Sequence, residues 1–296
     1  MSQYVTKIRT NQGDKQIDYN ALANLPMISN PNLLINSDFR KPVNQRGKTT
    51  YTSSSDRLYT IDRWSIGRGS LIVNQSSITF NGSSESTTGS RYLSQMWDKN
   101  LVGTHTISLY APSVVGEVYC IVRNRSYTDE DVPFVVSQGY NKFSFDHPIG
   151  NFDTVFFRVG QGASIELSWI KLEAGEKATT FVPRLYDEEL LLCQRYYVRI
   201  GNETSSLYLP GFTHGENSKT NGFPFNLRAI PTINLSNCHI AKTGSNWDAL
   251  SNSNISNVYN EDQYINVNID PTEVLDLNYV YYLVVASYME FDAEIY

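Results

Sequence analysis

Cysteine is scarce in this chain: Cys120, Cys193 and Cys238 are the three among 296 residues. An odd number without CxxC spacing indicates neither a disulfide framework nor a zinc site, so buried free thiols are expected. Positive charge is equally thin. Lys and Arg total 24 against 30 Asp and Glu, a formal charge of −6 without any basic cluster. That argues against a nucleic-acid groove, because phosphate binding needs concentrated cations. No apolar run approaches membrane-spanning length, and the opening MSQYVTKIRTNQGDKQ lacks the apolar core of a signal peptide, so synthesis in a cytoplasm is expected. The Asn-x-Ser/Thr triplets at Asn74, Asn81, Asn124, Asn202 and Asn254 then reflect an Asn- and Ser-rich composition rather than glycosylation.

Catalytic motifs are missing as well. There is no GxSxG elbow and no HExxH pair, and RGKTT at 46–50 fails as a phosphate loop because Pro42 stands where the upstream glycine belongs. His105, His147, His214 and His239 are far apart in sequence, without metal-ligand spacing. One acidic pair could serve glycoside cleavage: Asp292 and Glu294, two apart on an expected strand, share a face at about the separation of paired carboxyls. An acidic strand face in water is the commoner meaning of that pattern, and a non-enzyme is expected.

What is present is strand signal. Apolar clusters recur at roughly ten-residue spacing, punctuated by Gly, Asn and Ser: Leu71 to Val73, Ile78 to Phe80, Tyr92 to Met96, His105 to Ala111, Val118 to Val122, Phe134 to Val136, Phe143 with Phe145, and Val155 to Val159. The chain turns on the stretch from Ser164 to Tyr197. Ile165, Leu167 and Trp169 alternate with polar neighbours, then Ile170 and Leu172 take the opposite parity, so the strand bulges near Trp169 or passes between two buried environments. After Pro183, Asp187 is placed to cap a short helix with Leu190, Cys193 and Tyr197 on one face. Beyond it, Gly211 to Gly222 and Ala241 to Asp262 read as long polar loops, and NYVYYLVVASY as a strand buried on both faces.

The expected fold is therefore all-β: a jelly-roll-type β-sandwich joined by a short helix to a second, C-terminal β-sandwich-like domain. The expected boundaries are an N-terminal segment 1–30, the sandwich 31–184, and 185–296. Twenty tyrosines and four tryptophans among many Asn, Ser and Thr residues suit polar, stacking-based recognition, although aromatic residues favour strands for structural reasons too. Arg63 beside Trp64 reads as core rather than as a sugar platform.

The run WIKLEAGEKATTFVPRLYDEELLLCQRYY resembles a module junction of tail fibres and receptor-binding proteins of bacteriophages, prophages and phage-tail-like bacteriocins. NLLINSDF, NQRG and YTIDRW resemble the opening of its upstream module, and FPFNLRAIPTINL with FDAEIY the downstream tip. The resemblance implies binding to a bacterial cell-surface glycan or envelope receptor without catalysis, attachment to baseplate or tail proteins through the N-terminus, a homotrimer, and residence in the virion tail. A structural shaft or decoration protein and a polysaccharide depolymerase are the alternatives. It also places Tyr279 to Ala286 at a three-fold interface, where an ordinary central strand is the alternative.

Loop position and side-chain type point to His214, Asn217, Trp247, Asp248 and Tyr259 as ligand contacts. NLLINSDF is also similar to the first strand of β-sandwich carbohydrate-binding modules, some of which hold a structural calcium. Asp38 and Glu173 would then be its carboxylates, but two are far short of six or more oxygen ligands, so no cofactor is expected.

Overall fold

A computed structural model describes residues 7–10, 13–16, 29–55, 57–85, 89–123, 132–202, 204–213, 219–242, 247–261, 264–272, 275 and 281–294. Strands Lys7–Thr10 and Gly13–Gln16 pair as a hairpin. The apolar positions Ile17, Tyr19, Leu22 and Leu25 of the expected attachment segment lie outside the described residues.

Two antiparallel sheets build the first core. One runs in the order Val132–Val135, Val118–Arg123, Gly139–Val159, Tyr92–Ala111, Ser65–Ile66, Leu58–Tyr59, with Trp169–Ala174 also bonded to Tyr92–Ala111. The other runs Thr50–Ser53, Gly69–Val73, Ile78–Gly82, Ser164–Leu167, Ser113–Val115. Leu71, Phe80 and Ile165 from the second sheet meet Leu93, Ile107, Leu109 and Phe157 from the first, with Phe39 and Trp64 between. This is a β-sandwich in the sense the alternating pattern requires, each strand giving one parity to the core.

Two features were not expected from the sequence. Tyr92–Ala111 and Gly139–Val159 are single strands of 20 and 21 residues, where Asn and Gly signals suggested breaks. Pairing continues through the polar interval, and the irregularity is absorbed instead by register shifts between His147 and Thr154. Gly103, opposite His147, has φ +83°, a left-handed conformation that costs glycine little.

The parity change at 168–170 is a sheet switch. Ser164–Leu167 pairs with Ile78–Gly82, then Trp169–Ala174 pairs with Tyr92–Ala111 in the opposite sheet. Ile165 and Leu167 on one side of the switch, and Ile170 and Leu172 on the other, are all buried. One strand thus closes both sheets.

The helix is Tyr186–Gln194, and it begins two residues earlier than Asp187 would allow as a cap. Leu185 occupies that position without a side-chain hydrogen bond, and Asp187, Glu188 and Glu189 sit in the first turn, where their charge favours the helix dipole. Glu189 is buried: its Oε1 accepts the Asn36 N–H at 2.6 Å and pairs with Arg184 at 3.1 Å. Arg184 also donates to the carbonyl of Leu34 at 2.9 Å, which fixes the helix against the sandwich.

The second core again lies between two sheets. One contains Tyr197–Ile200, Tyr281–Asp292, Thr232–Lys242 and Trp247–Leu250, with Leu207–Pro210 also on Tyr281–Asp292; the other runs Phe212–Thr213, Lys219–Phe223, Tyr264–Ile269, Ile255–Glu261. Tyr281–Asp292 is bonded on both edges, and Leu283, Val284 and Val285 are fully buried, as in an ordinary central strand.

Among the described residues, the two stretches read as loops are largely strands. Phe212–Thr213 and Lys219–Phe223 form a hairpin, while Trp247–Leu250, a 3-10 turn Asn252–Asn254 and Ile255–Glu261 fill most of the other. The sequence hid them for a physical reason. Ile255 and Val258 differ in parity because of a register shift between Ile255 and Asn257, which erases the period-2 signal. Asn and Thr side chains also pair across strands, as Thr220 does with Asn268 at 2.7 Å, so polar residues here sit in a ladder rather than a coil.

Candidate functional site

Of the five expected contact residues, Trp247, Asp248 and Tyr259 are among the described residues. His214 and Asn217 lie outside the described residues. Trp247 opens a strand, with Ala241 as its partner, which corrects the loop reading on which its choice rested. Asp248, next on that strand, is half-buried and accepts the Thr272 N–H at 2.7 Å. Tyr259 is half-buried in the other sheet, opposite Asn266. Asp248 and Tyr259 therefore belong to different sheets.

The two carboxylates named for calcium each already have a cationic partner. Glu173 is fully buried, accepting from the Thr179 N–H at 2.8 Å and pairing with the Lys171 ammonium at 3.2 Å. A divalent cation would have to share that oxygen set with a fixed ammonium. Asp38 gives both oxygens to Arg40, at 2.6 and 3.0 Å. No group of three or more His, Cys, Asp or Glu residues placed to hold a metal ion occurs among the described residues.

The acidic pair Asp292 and Glu294 is not an exposed face either. Glu294 is buried just beyond the last strand, where it pairs with the buried guanidinium of Arg63. Arg63 also donates to the Met96 carbonyl and lies 3.5 Å over the Tyr196 ring. Asp292 accepts the Glu294 N–H at 2.9 Å and stands 3.7 Å from Arg46. Next to it Asp62, 3.6 Å from Arg46, is fully buried, and that burial, opposed by Arg46, pushes its carboxyl up to about 6. Arg63 and Trp64 are core, as their sequence context suggested, but Arg63 needs Glu294 from the far end of the chain to be buried at all.

What the fold does assemble is a row of aromatic rings on the outer face of the sandwich. Tyr140, Tyr110 and Trp169 occupy three adjacent strands, with Tyr140 opposite Tyr110 and Tyr110 opposite Trp169. Directly opposed residues of an antiparallel pair project to the same face, about 5 Å apart at Cβ. The Tyr140 and Trp169 ring centroids are 6.1 Å apart. Phe181, on the segment after the last sandwich strand, stacks on Trp169 at 4.8 Å and 10°. Arg40 continues the line, 5.6 Å over Phe181 and held there by Asp38, whose backbone bridges to Trp169.

Such rings usually end in a core, yet Tyr110 is 43% and Tyr140 57% exposed. Below them the same face is closed. Thr106 donates to the Gly175 carbonyl at 2.7 Å, and Ser144 to that of Glu176 at 3.0 Å. The row is therefore the open end of an otherwise covered face, with ring faces, hydroxyls and a fixed guanidinium–carboxylate pair in one patch. Local sequence could not find it, because only strand register places residues 110, 140, 169 and 181 side by side; the single hint was the tryptophan at the parity change.

No protein-family model and no curated protein matches the chain. Among solved structures it is similar to family 29 carbohydrate-binding modules. A lysine-to-alanine mutant studied for ligand recognition is 18% identical over 47% of this chain and 100% of that one, with a TM-score of 0.31. A mutant complexed with cellulohexaose is 15% identical over 42% and 89%, with a TM-score of 0.29. A further family 29 module is 17% identical over 42% and 87%, also with a TM-score of 0.29. The functional reading rests on the chain's own residues.

Proposed function

We propose that this chain is a non-catalytic glycan-binding protein, and that it serves as a bacteriophage tail-fibre receptor-binding protein adhering to a bacterial cell-surface glycan or envelope component. The observation that carries the binding reading is the row Tyr140–Tyr110–Trp169–Phe181, exposed at its two tyrosines and half-buried at Trp169 and Phe181. A pyranose presents a face of polarised C–H groups that packs on the electron-rich face of an aromatic ring, at roughly 1 kcal/mol per contact, while its hydroxyls bond to neighbouring polar groups. Arg40 and Asp38 supply such groups at the end of the row.

Single sites of that strength are weak, and a homotrimer carried in several copies on a virion tail turns them into firm adhesion by avidity. The tail-fibre part of the proposal draws on the motifs around Asn32 to Phe39 and Trp169 to Tyr197. In it, residues 1–30 attach to baseplate or tail proteins and residues 185–296 face the host.

The test is to incubate the purified protein with a panel of bacterial envelopes, following its depletion from solution and the release of reducing ends. Depletion without release, reduced about fivefold by Tyr140→Ala at unchanged melting temperature, is expected. Release of reducing ends would instead mark a depolymerase. No depletion by any envelope would refute adhesion in favour of a structural fibre component.

A further inference from the structure

The two halves meet along a groove of about 790 Å³ whose walls include Tyr51, Tyr59 and Lys48 from the sandwich and Arg199, Tyr288 and Glu290 from the C-terminal sheet. It is separate from the aromatic row, and its chemistry differs. Arg46, Lys48 and Arg199 line it with one carboxylate, Glu290, which already accepts the Tyr197 hydroxyl at 2.6 Å; Arg46 is paired with Asp62 and Asp292, which leaves Lys48 and Arg199 as the cations the groove presents.

The arginines are held in place. Arg199 stacks 3.9 Å over Tyr288 and donates one Nη to the Arg46 carbonyl at 2.6 Å, leaving its other donors in a fixed plane. Arg46 lies 3.7 Å over Tyr197 with its side chain only 11% exposed. Its Nη atoms stand 3.6 Å from Asp62 and 3.7 Å from Asp292, beyond hydrogen-bond length, and neither makes a hydrogen bond. Arg46 is thus turned to two carboxylates and buried, so the guanidinium available to a ligand is that of Arg199, whose stacked, fixed plane suits an acceptor-rich anion. Lys48 is exposed and adds charge that draws such a ligand in.

We infer that this groove is a second saccharide subsite, selective for an anionic polymer whose carboxylate or phosphate accepts from Arg199 and Lys48 while its carbon backbone packs beside Tyr288. The inference deepens the glycan-binding reading above, but it stands on different residues. Because both halves contribute to the walls, a bound ligand also clamps them together.

The experiment titrates the full chain with three probes of matched length: oligogalacturonate, glycerol-phosphate oligomer and neutral cello-oligosaccharide. At least one charged probe should bind about tenfold more tightly than the neutral one at low salt, and lose that advantage at high salt. Which one wins tells carboxylate from phosphate. Lys48→Ala, an exposed change that leaves the fold intact, and Arg199→Gln should each weaken the charged probe about fivefold, whereas Tyr140→Ala should leave it unchanged. Equal affinity for charged and neutral probes, or charged-probe binding lost in Tyr140→Ala but kept in Arg199→Gln, would overturn the inference. Charged-probe binding that survives Tyr140→Ala, with envelope adhesion also unaffected by that change, would support the groove while removing the aromatic row as the adhesive site.

Discussion

Lys219 is fully buried in the C-terminal half, and its ammonium donates one hydrogen bond, 3.0 Å, to the Tyr281 carbonyl. Among the described residues no carboxylate pairs with it. Burial alone pulls its titration down from 10.5 to about 7. A folded value below the unfolded one means that the unfolded chain binds more protons between those limits, so folding stability rises with pH from 7 toward 10.5. At 1.36 kcal/mol per pH unit, carrying this lysine costs about 4 kcal/mol at pH 7 and about 2 kcal/mol at pH 9.

Lys219→Met removes the titration and keeps the volume. It leaves the Tyr281 carbonyl without that donor, a loss of about 1–3 kcal/mol, so the variant should be more stable than the parent at pH 7 by roughly 1–3 kcal/mol. Urea unfolding at pH 7 and 9, followed by near-ultraviolet circular dichroism, measures both quantities. The parent should gain about 2 kcal/mol over that interval more than the variant does. Parallel pH profiles, or a variant less stable at pH 7, would refute the account of a buried, unpaired ammonium.

Glu294→Gln strands the buried Arg63 guanidinium without its counter-charge, and a loss of about 3–5 kcal/mol is expected in calorimetric unfolding. Asp62 titrates near 6, raised from 3.8 by burial, so its contribution to stability is greatest below pH 4 and declines as pH climbs through 6. Asp62→Asn should flatten the pH 4–6 portion of the melting-temperature profile, and an unchanged profile would show that the carboxyl is not shifted. Calcium at millimolar concentration, or its chelation, should leave the melting temperature unmoved, because Lys171 and Thr179 already occupy Glu173.

Period-2 alternation made the all-β class legible, and the parity change at Trp169 narrowed that strand to a bulge or a passage between two buried environments, of which the sheet switch is the second. Other features needed partners that local sequence does not name. Trp247 looked like a loop residue because its strand is only four residues long and pairs with Cys238 to Ala241, whose pattern gives no hint of it. Glu294 looked solvated because its cation, Arg63, is 231 positions away. The aromatic row was invisible for the same reason: it is a property of register among three strands, and each ring alone reads as an ordinary strand aromatic.

The seam that closes the sandwich bears on how the chain would carry tension. Residues 29–33 run antiparallel to 172–180: Ser29 donates to Thr180 at 2.7 Å, the Asn30 N–H to Thr179 at 3.0 Å, and the Leu33 N–H to Leu172 at 2.8 Å. The chain therefore enters and leaves the sandwich at the same point. A pull between residue 29 and the helix would bypass the core and open this seam like a zipper, stressing its bonds one after another from Ser29 inward. Arg184, reaching Leu34 from beyond the seam, and Glu189, holding Asn36, are placed where that opening would stop.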